Sequence, residues 1–403
     1  MRTQTIVILG YGQRGKTYAD YALNHPDEFR VTAIVDTDAS RRALASSRHD
    51  CPVYSNYRDF LNAGIVADVV AVATQDADHR KHAIACMEKG YDLLLEKPIA
   101  KTIADCEAIY EASVKYGRKV IVCHVLRYSP FYRKVKNIID AGILGDVMTV
   151  NVSENVGYYH QAHSFVRGAW RSKEEACPMI VAKCCHDLDI LRWLIGEKCE
   201  EVSSMGTLSF FNKENAPENS AEYCTDCKNE ACVYRAKKLY DEYTWMRGYF
   251  CCDVEDDEAA NEALRYSQYD RCVFRCDNDV VDHQVSIFRF CKNITAMHTM
   301  TAFSKEIYRD IKVHGTKAEL FGIMEKSVLE VRVFGGETIT YDFKDVSISG
   351  NHGGGDHGLM HGLYLERNGM PAEGMTYLDV SIDSHRMAFG AELSRVTGKT
   401  VKI

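Results

Sequence analysis

Short apolar runs alternate with amphipathic stretches through the first third of the chain. Aliphatic and β-branched clusters at 5–9, 30–35, 68–73, 92–95 and 119–125 predict strands. Between them, apolar positions recur with helical spacing at 15–24, 57–63, 79–89, 102–116 and 130–141. Alternation of this kind predicts a parallel, doubly wound sheet with ligands at the carboxyl ends of its strands. After about residue 145 the pattern changes. Longer alternating runs at 147–156, 202–211, 285–290, 294–303 and 329–333 predict an open, mainly antiparallel sheet. Helical spacing returns at 181–195 and 380–396. The expected fold class is therefore α/β, with a parallel domain over residues 1–125 and a second α/β domain over 126–403. Residues 212–280 interrupt the second sheet with a polar, cysteine-bearing insertion.

The first strand runs into Gly10-Tyr11-Gly12-Gln13-Arg14-Gly15, and a helical pattern starts at once. A strand, a GxGxxG turn and a helix start form the Rossmann arrangement that binds a dinucleotide pyrophosphate. Gly10 permits the tight turn, Gly12 lets backbone approach the phosphates, and Gly15 lets the helix sit close to the strand. The first amides of the helix, with Gln13 and Arg14, receive the anion. The next apolar run ends in Asp36, about 20 residues beyond the last glycine, where a ribose-binding acid is expected. A carboxylate there accepts bonds from a free 2′-hydroxyl and repels a 2′-phosphate, favouring NAD over NADP. Arg41 and Arg42 lie close enough in sequence to leave NADP open.

Composition narrows the class. A chain of 403 residues with 46% hydrophobic and 26% charged residues reads as a soluble, two-domain globular protein. A net charge of -8 argues against nucleic acid as the main partner. No apolar run approaches the roughly eighteen residues of a membrane span. The first strand begins too early to leave room for a signal peptide, so the cytoplasm is the expected compartment. The 16 cysteines then read as reduced thiols, with metal binding favoured over disulfides for any cluster.

The strand at 92–95 ends in Glu96-Lys97-Pro98, where a nicotinamide ring would lie. A lysine there can donate to a substrate oxygen while hydride moves at the adjacent carbon. With the glycine turn before it, this motif resembles the Gfo/Idh/MocA oxidoreductases. Further matches fall in that family's order: Ala73-Thr74 with His79, Arg127-Tyr128-Ser129-Pro130, Trp170-Arg171, and His186-Asp187-Leu188-Asp189. The resemblance implies a Rossmann domain followed by an open-sheet α/β domain, acting with NAD(P) on sugars, inositols and related polyols. It implies cofactor contacts at Thr74, His79, Glu96, Lys97, Pro98, Arg127, Trp170 and Arg171, and substrate contacts at Tyr128 and Asp189. It implies that His186 is the catalytic histidine paired with Lys97. Histidine suits the removal of a hydroxyl proton near neutral pH. Lys183, His186, Ile190 and Trp193 have the spacing of one helical face. Where many relatives carry an acid four residues before the histidine, this chain has Ala182. Lys183 follows, and it joins the catalytic candidates as a cation able to depress the pKa of Lys97.

His160, His163 and Arg167 form a polar run suited to a polyhydroxylated substrate, and His124 lies at the end of the last Rossmann strand. Residues 350–358 read equally as a lid, a substrate loop or a mobile connection, because glycine allows close approach and hinge motion. Cys224, Cys227, Cys232 and Cys272 form a candidate zinc set stapling an insertion too polar for its own core. Cys251, Cys252 and Cys276 keep the fourth ligand ambiguous. The insertion, with residues 277–284, resembles one seen in a subgroup of the family. Together these features predict an NAD-dependent sugar, glycoside or polyol dehydrogenase, working as a homo-oligomer. Its rival is a redox-neutral glycosidase that retains NAD, and a non-catalytic dinucleotide sensor is the third reading.

Overall fold

A computed structural model describes residues 1–251, 254–343 and 351–403; Cys252 and Gly350 lie outside the described residues. The first third folds as β1 (Gln4–Leu9), β2 (Phe29–Val35), β3 (Val53–Tyr54), β4 (Val69–Val72), β5 (Asp92–Leu95) and β6 (Val120–Val122). These pair in parallel in the order β3-β2-β1-β4-β5-β6. Helices cover both faces, so β1 and β4 are apolar almost throughout. The helix Ala39–Arg48, absent from the sequence reading, buries only Ala45 and so offers no apolar stripe.

The second sheet contains β7 (Val147–Asn155), β8 (Cys199–Thr207), β9 (His283–Phe290), β10 (Thr295–Thr301), β11 (Tyr308–Gly315), β12 (Ala318–Ile323), β13 (Val328–Val333), β14 (Thr338–Asp342) and β15 (Val401–Lys402). Their order is β14-β13-β12-β11-β7-β10-β9-β8-β15, with β7 and β10 parallel and the other neighbours antiparallel. One face is buried through Val150, Phe288, Ala296, Ile311, Leu320 and Val331, beneath helices that include Cys185–Ile195. The other face is open, and Met205, Val285, Ile287 and Met297 stand on it exposed. The sheet ends β8 earlier than expected. The Asp282 carboxylate accepts the Ser209 and Phe210 amides and turns the chain into the insertion.

Three sequence expectations change. The insertion has its own core after all: Phe211, Leu239, Tyr240, Met246, Leu264 and Phe274 pack with Tyr159, Ala162 and Val166. Its buried charges, Arg247 and Asp270, are paired or hydrogen-bonded, and most of its other polar residues face outward. The segment after 350 is a turn followed by the helix Gly355–Arg367, whose Leu359, Met360 and Leu363 join the first domain's core. Its glycines serve contact. A Cβ at Gly355 would stand 2.3 Å from the Val125 carbonyl oxygen, and one at Gly358 2.7 Å from that of Tyr128. The helix expected over 181–195 begins at Cys185, after a short turn Met179–Ala182. Among the described residues, no helix is long and apolar enough to cross a membrane.

Candidate active site

The glycine turn has the geometry a pyrophosphate requires. Gly10 takes φ +99, and a Cβ there would meet the Ala73 carbonyl oxygen at 2.4 Å. At Gly15 a Cβ would fall 1.8 Å from the Gly10 oxygen. Gly12 caps the helix Gln13–Asn24 without a side-chain bond, and no acid occupies the first turn. The helix amides there remain free for an anion. Asp36 follows β2, its Oδ2 accepting the Tyr11 amide at 2.7 Å and its Oδ1 the Asp38 amide at 2.8 Å. Arg41 Nη1 lies 3.9 Å from Asp36, whereas Arg42 is turned to the Asp36 and Thr37 carbonyls. Gly248 of the insertion comes down on Gln13: a Cβ there would stand 2.7 Å from Gln13 Nε2.

Arg14 joins this turn to the next motif. Its Nε donates to Glu96 at 2.5 Å, and its Nη2 donates to Tyr18 at 2.7 Å and Asp356 at 2.6 Å. Glu96 is buried, and Arg14 and Lys97 outweigh its burial and hold it below the usual carboxylate range. Its Oε2 also accepts the Lys97 amide at 3.0 Å. His79 braces the same turn, with ring nitrogens 2.8 Å from the Pro98 oxygen and 3.1 Å from the Thr74 oxygen.

Lys97 reaches across to the second domain, where Nζ donates to the Ala182 carbonyl at 3.3 Å. An unbroken helix would give that carbonyl to the amide of residue 186. The turn at Lys183–Cys184 therefore separates Lys183 from the helix that carries His186. His186 is buried, and neither ring nitrogen has a hydrogen-bond partner among the described residues. Burial, with Lys97, His352 and His124 nearby, holds it well below the usual histidine range, so the ring is a neutral acceptor. Its ring centroid lies 5.7 Å from both His124 and His352. Asp76 is close to Lys97, and burial raises its pKa.

Other candidates have other partners. Lys183 Nζ lies 3.3 Å from Glu154, which also pairs with Arg309. Arg127 is bidentate to Asp189, at 2.6 Å through both Nε and Nη2, and both are buried. Tyr128 is bonded to Thr376. His163 meets the Tyr240 hydroxyl at 3.1 Å and stacks on Tyr269, and Arg167 donates to the Arg271 and Tyr234 carbonyls. Those two hold the insertion in place. Arg171 pairs with Asp277 and Glu175. His160 stays near the site: Lys183 and Lys97 are among the cations that, after burial, depress its pKa.

Sequence reasoning missed Asp76, Glu154 and Arg309, and took His352 and Asp356 only as members of the 350–358 loop. For two of them a signal existed. Glu154 shares the inward register of Val150 and Val152 on β7, and Arg309 that of Ile311 and Val313 on β11. A charge on the core side of a strand marks a buried pair. The two residues sit opposite each other in the sheet, and Arg309 also donates to Asp187 at 3.0 Å.

Among the described residues, the ligand atoms of Cys184, Asp187 and His298 lie within 4.8 Å of one another. Arg309 Nε pairs with Asp187 Oδ1 at 3.0 Å beside this cluster. Cys224, Cys227, Cys232 and Cys272 line one cavity with Arg167, whose Nη2 donates to Cys224 Sγ at 3.5 Å. No three of these sulfurs lie mutually within 4.8 Å.

A dinucleotide cradle at one sheet and a lysine–histidine pair at its junction with a second sheet define a two-domain oxidoreductase. The chain belongs to the Gfo/Idh/MocA oxidoreductase family: residues 4–124 match its NAD-binding Rossmann fold and residues 136–357 its C-terminal alpha/beta domain. It is 26% identical over 370 residues to the oxidoreductase YteT of Bacillus subtilis, covering 84% of this chain and 83% of that protein. It is 30% identical over 202 residues to inositol 2-dehydrogenase 2 of Saccharopolyspora erythraea, 49% of this chain and 55% of that protein. Levoglucosan dehydrogenase, solved with NADH and levoglucosan, shares the fold at TM-score 0.73 and 16% identity, covering 100% of this chain and 99% of that one. The WlbA dehydrogenase of Bordetella pertussis, solved with NADH and UDP-GlcNAcA, does so at TM-score 0.70 and 16% identity, covering 100% and 98%.

Proposed function

We propose that the protein is an NAD-dependent dehydrogenase that oxidises a secondary hydroxyl of a sugar or polyol. The observation that carries the reading is the Lys97–Ala182 bond, which sets the lysine of one domain at the turn leading into His186 of the other. When bound, the nicotinamide supplies the hydride acceptor. Lys97 donates to the substrate oxygen and holds it in place, and neutral His186 takes the hydroxyl proton. His160, which feels the charges of Lys183 and Lys97, is assigned to the substrate's other hydroxyls. The inositol and levoglucosan dehydrogenases among the similar proteins support this substrate class. The test is NADH formation on a panel of inositols, anhydrosugars, glycosides and free sugars. Lys97→Met should lower kcat/KM about 100-fold or more while NAD still binds. A wild type inert on the whole panel refutes the reading.

Three narrower statements accompany it. Asp36 favours NAD over NADP by accepting from the ribose. A structural zinc at Cys224, Cys227, Cys232 and Cys272 would draw their sulfurs together; less than stoichiometric zinc in protein purified without chelator refutes this. A homo-oligomer forms through the open sheet face around Ile287 and Met297, which light scattering on the purified protein checks.

A further inference from the structure

Taking a hydroxyl proton leaves His186 charged in a buried pocket beside Lys97, and turnover stops until that proton leaves. His186 belongs to a file of histidines. Ring centroids are 5.7 Å apart from His352 to His186, 5.7 Å from His186 to His124 and 5.6 Å from His124 to His385. The inner end is closed. His385 Nε2 accepts the Ile99 amide at 2.9 Å, and its Nδ1 lies 3.3 Å from the Ser381 carbonyl. His124 is fully buried; its Nε2 lies 3.8 Å from Asp189, but that carboxylate is already bidentate to Arg127, and burial with the charges of Arg127 and Lys97 opposes a proton there. The outer end differs. The His352 side chain is 30% exposed, and its Nδ1 is paired with the Asp356 carboxylate at 3.0 Å. Asp356 is fixed from its other oxygen by Arg14. Burial lowers the His352 pKa, and the aspartate on Nδ1 offsets part of that and orients the ring, leaving Nε2 as the exchanging nitrogen.

We propose that His352, oriented by Asp356, takes the substrate-derived proton from His186, directly or across one water, and releases it to solvent. The proposal rests on the reading of His186 as the base. Atoms and electrons balance. The hydride leaves the ring carbon for the oxidised dinucleotide, and the O–H bonding pair becomes the second bond of the carbonyl. The proton passes from the hydroxyl to His186, then to His352, then to water. The charged and titratable groups facing His186 are Lys97, His124, His352 and Arg309; those facing His352 are Asp356, Arg14, Arg309 and His186. Motion of the proton outward follows the carboxylate, since the other neighbours are cationic or neutral.

The test uses His352→Ala and His352→Gln in the full-length protein, assayed by NADH formation in H2O and D2O with varied buffer and added imidazole. Kcat should fall about 100-fold with the KM for NAD little changed. The residual rate should rise with buffer concentration, imidazole should restore His352→Ala, and the solvent isotope effect should grow. The glutamine variant keeps a donor for Asp356, so it guards the Arg14 contact. A variant with wild-type kcat and isotope effect overturns the relay, as does a loss in both variants that neither buffer nor imidazole restores. A wild type inert on the whole panel removes the dehydrogenase reading itself, whereas an active wild type with an unrescued or unaffected variant removes only the relay.

Discussion

Arg14 and Asp356, 342 positions apart in sequence, meet in an ion pair of 2.6 Å. One guanidinium thereby holds the dinucleotide turn, the end of β5 through Glu96, and the start of the helix Gly355–Arg367. Arg14→Met leaves two buried carboxylates without their cation, which costs about 3 kcal/mol or more. Denaturant unfolding reads that loss. Arg14→Lys should recover only part of it, because an ammonium cannot reproduce the fork that serves Glu96, Tyr18 and Asp356 together.

Arg127 and Asp189 satisfy each other in the buried seam between the domains. Arg127→Met should destabilise by about 3–5 kcal/mol, because it strands a buried carboxylate. Arg127→Met with Asp189→Leu should recover much of this. If NAD affinity in the double variant equals that of the wild type, the pair is a structural tie; a large loss of affinity returns Arg127 to the cofactor site.

Acid should weaken the fold through His385. Burial, aided by His124, lowers its pKa from 6.5 to about 3, and protonation would end its acceptance of the Ile99 amide. The unfolded chain binds a proton at this residue below pH 6.5 and the folded protein does not until about pH 3. Its contribution is therefore complete above 6.5, declines as pH falls, and is lost below 3. The full effect is on the order of 5 kcal/mol. His385→Gln, which keeps an acceptor, should flatten the dependence of unfolding free energy on pH across this window; an unchanged slope refutes the assignment.

A methyl group at Gly358 must push the helix off the Tyr128 carbonyl. Gly358→Ala should cost about 1–3 kcal/mol by overpacking, despite the better helix propensity of alanine. A gain in melting temperature would contradict the contact.

Asp36→Ser removes the carboxylate that repels a 2′-phosphate and leaves Arg41 nearby. The ratio of kcat/KM for NADP over NAD should rise about tenfold or more. An unchanged ratio would place cofactor choice elsewhere.

The sequence reading located what local patterns encode. The glycine turn, the acid after β2, the lysine at the end of β5 and the helix of His186 each lie within a dozen residues of an element that announces them. Strands β11 and β12 escaped notice because charged residues interrupt their apolar alternation: in β11 only Arg309, Ile311 and Val313 face the core. The helix at 355 read as loop because its glycines answer to backbone from Val125 and Tyr128, a neighbour no local pattern contains. Arg127 and Asp189 were placed in the site by motif, and their mutual pairing became legible only once the two domains were docked.

The helix Leu378–Thr397 enters both cores, Leu378 and Ile382 in the first and Met387, Ala388 and Ala391 in the second. A single rod of 20 residues, fixed at each end, acts as an axle pin. Rocking one half against the other would have to shear packed side chains at one end of it. The insertion packs in a core of its own, apart from both of these, and sets Gly248 against Gln13.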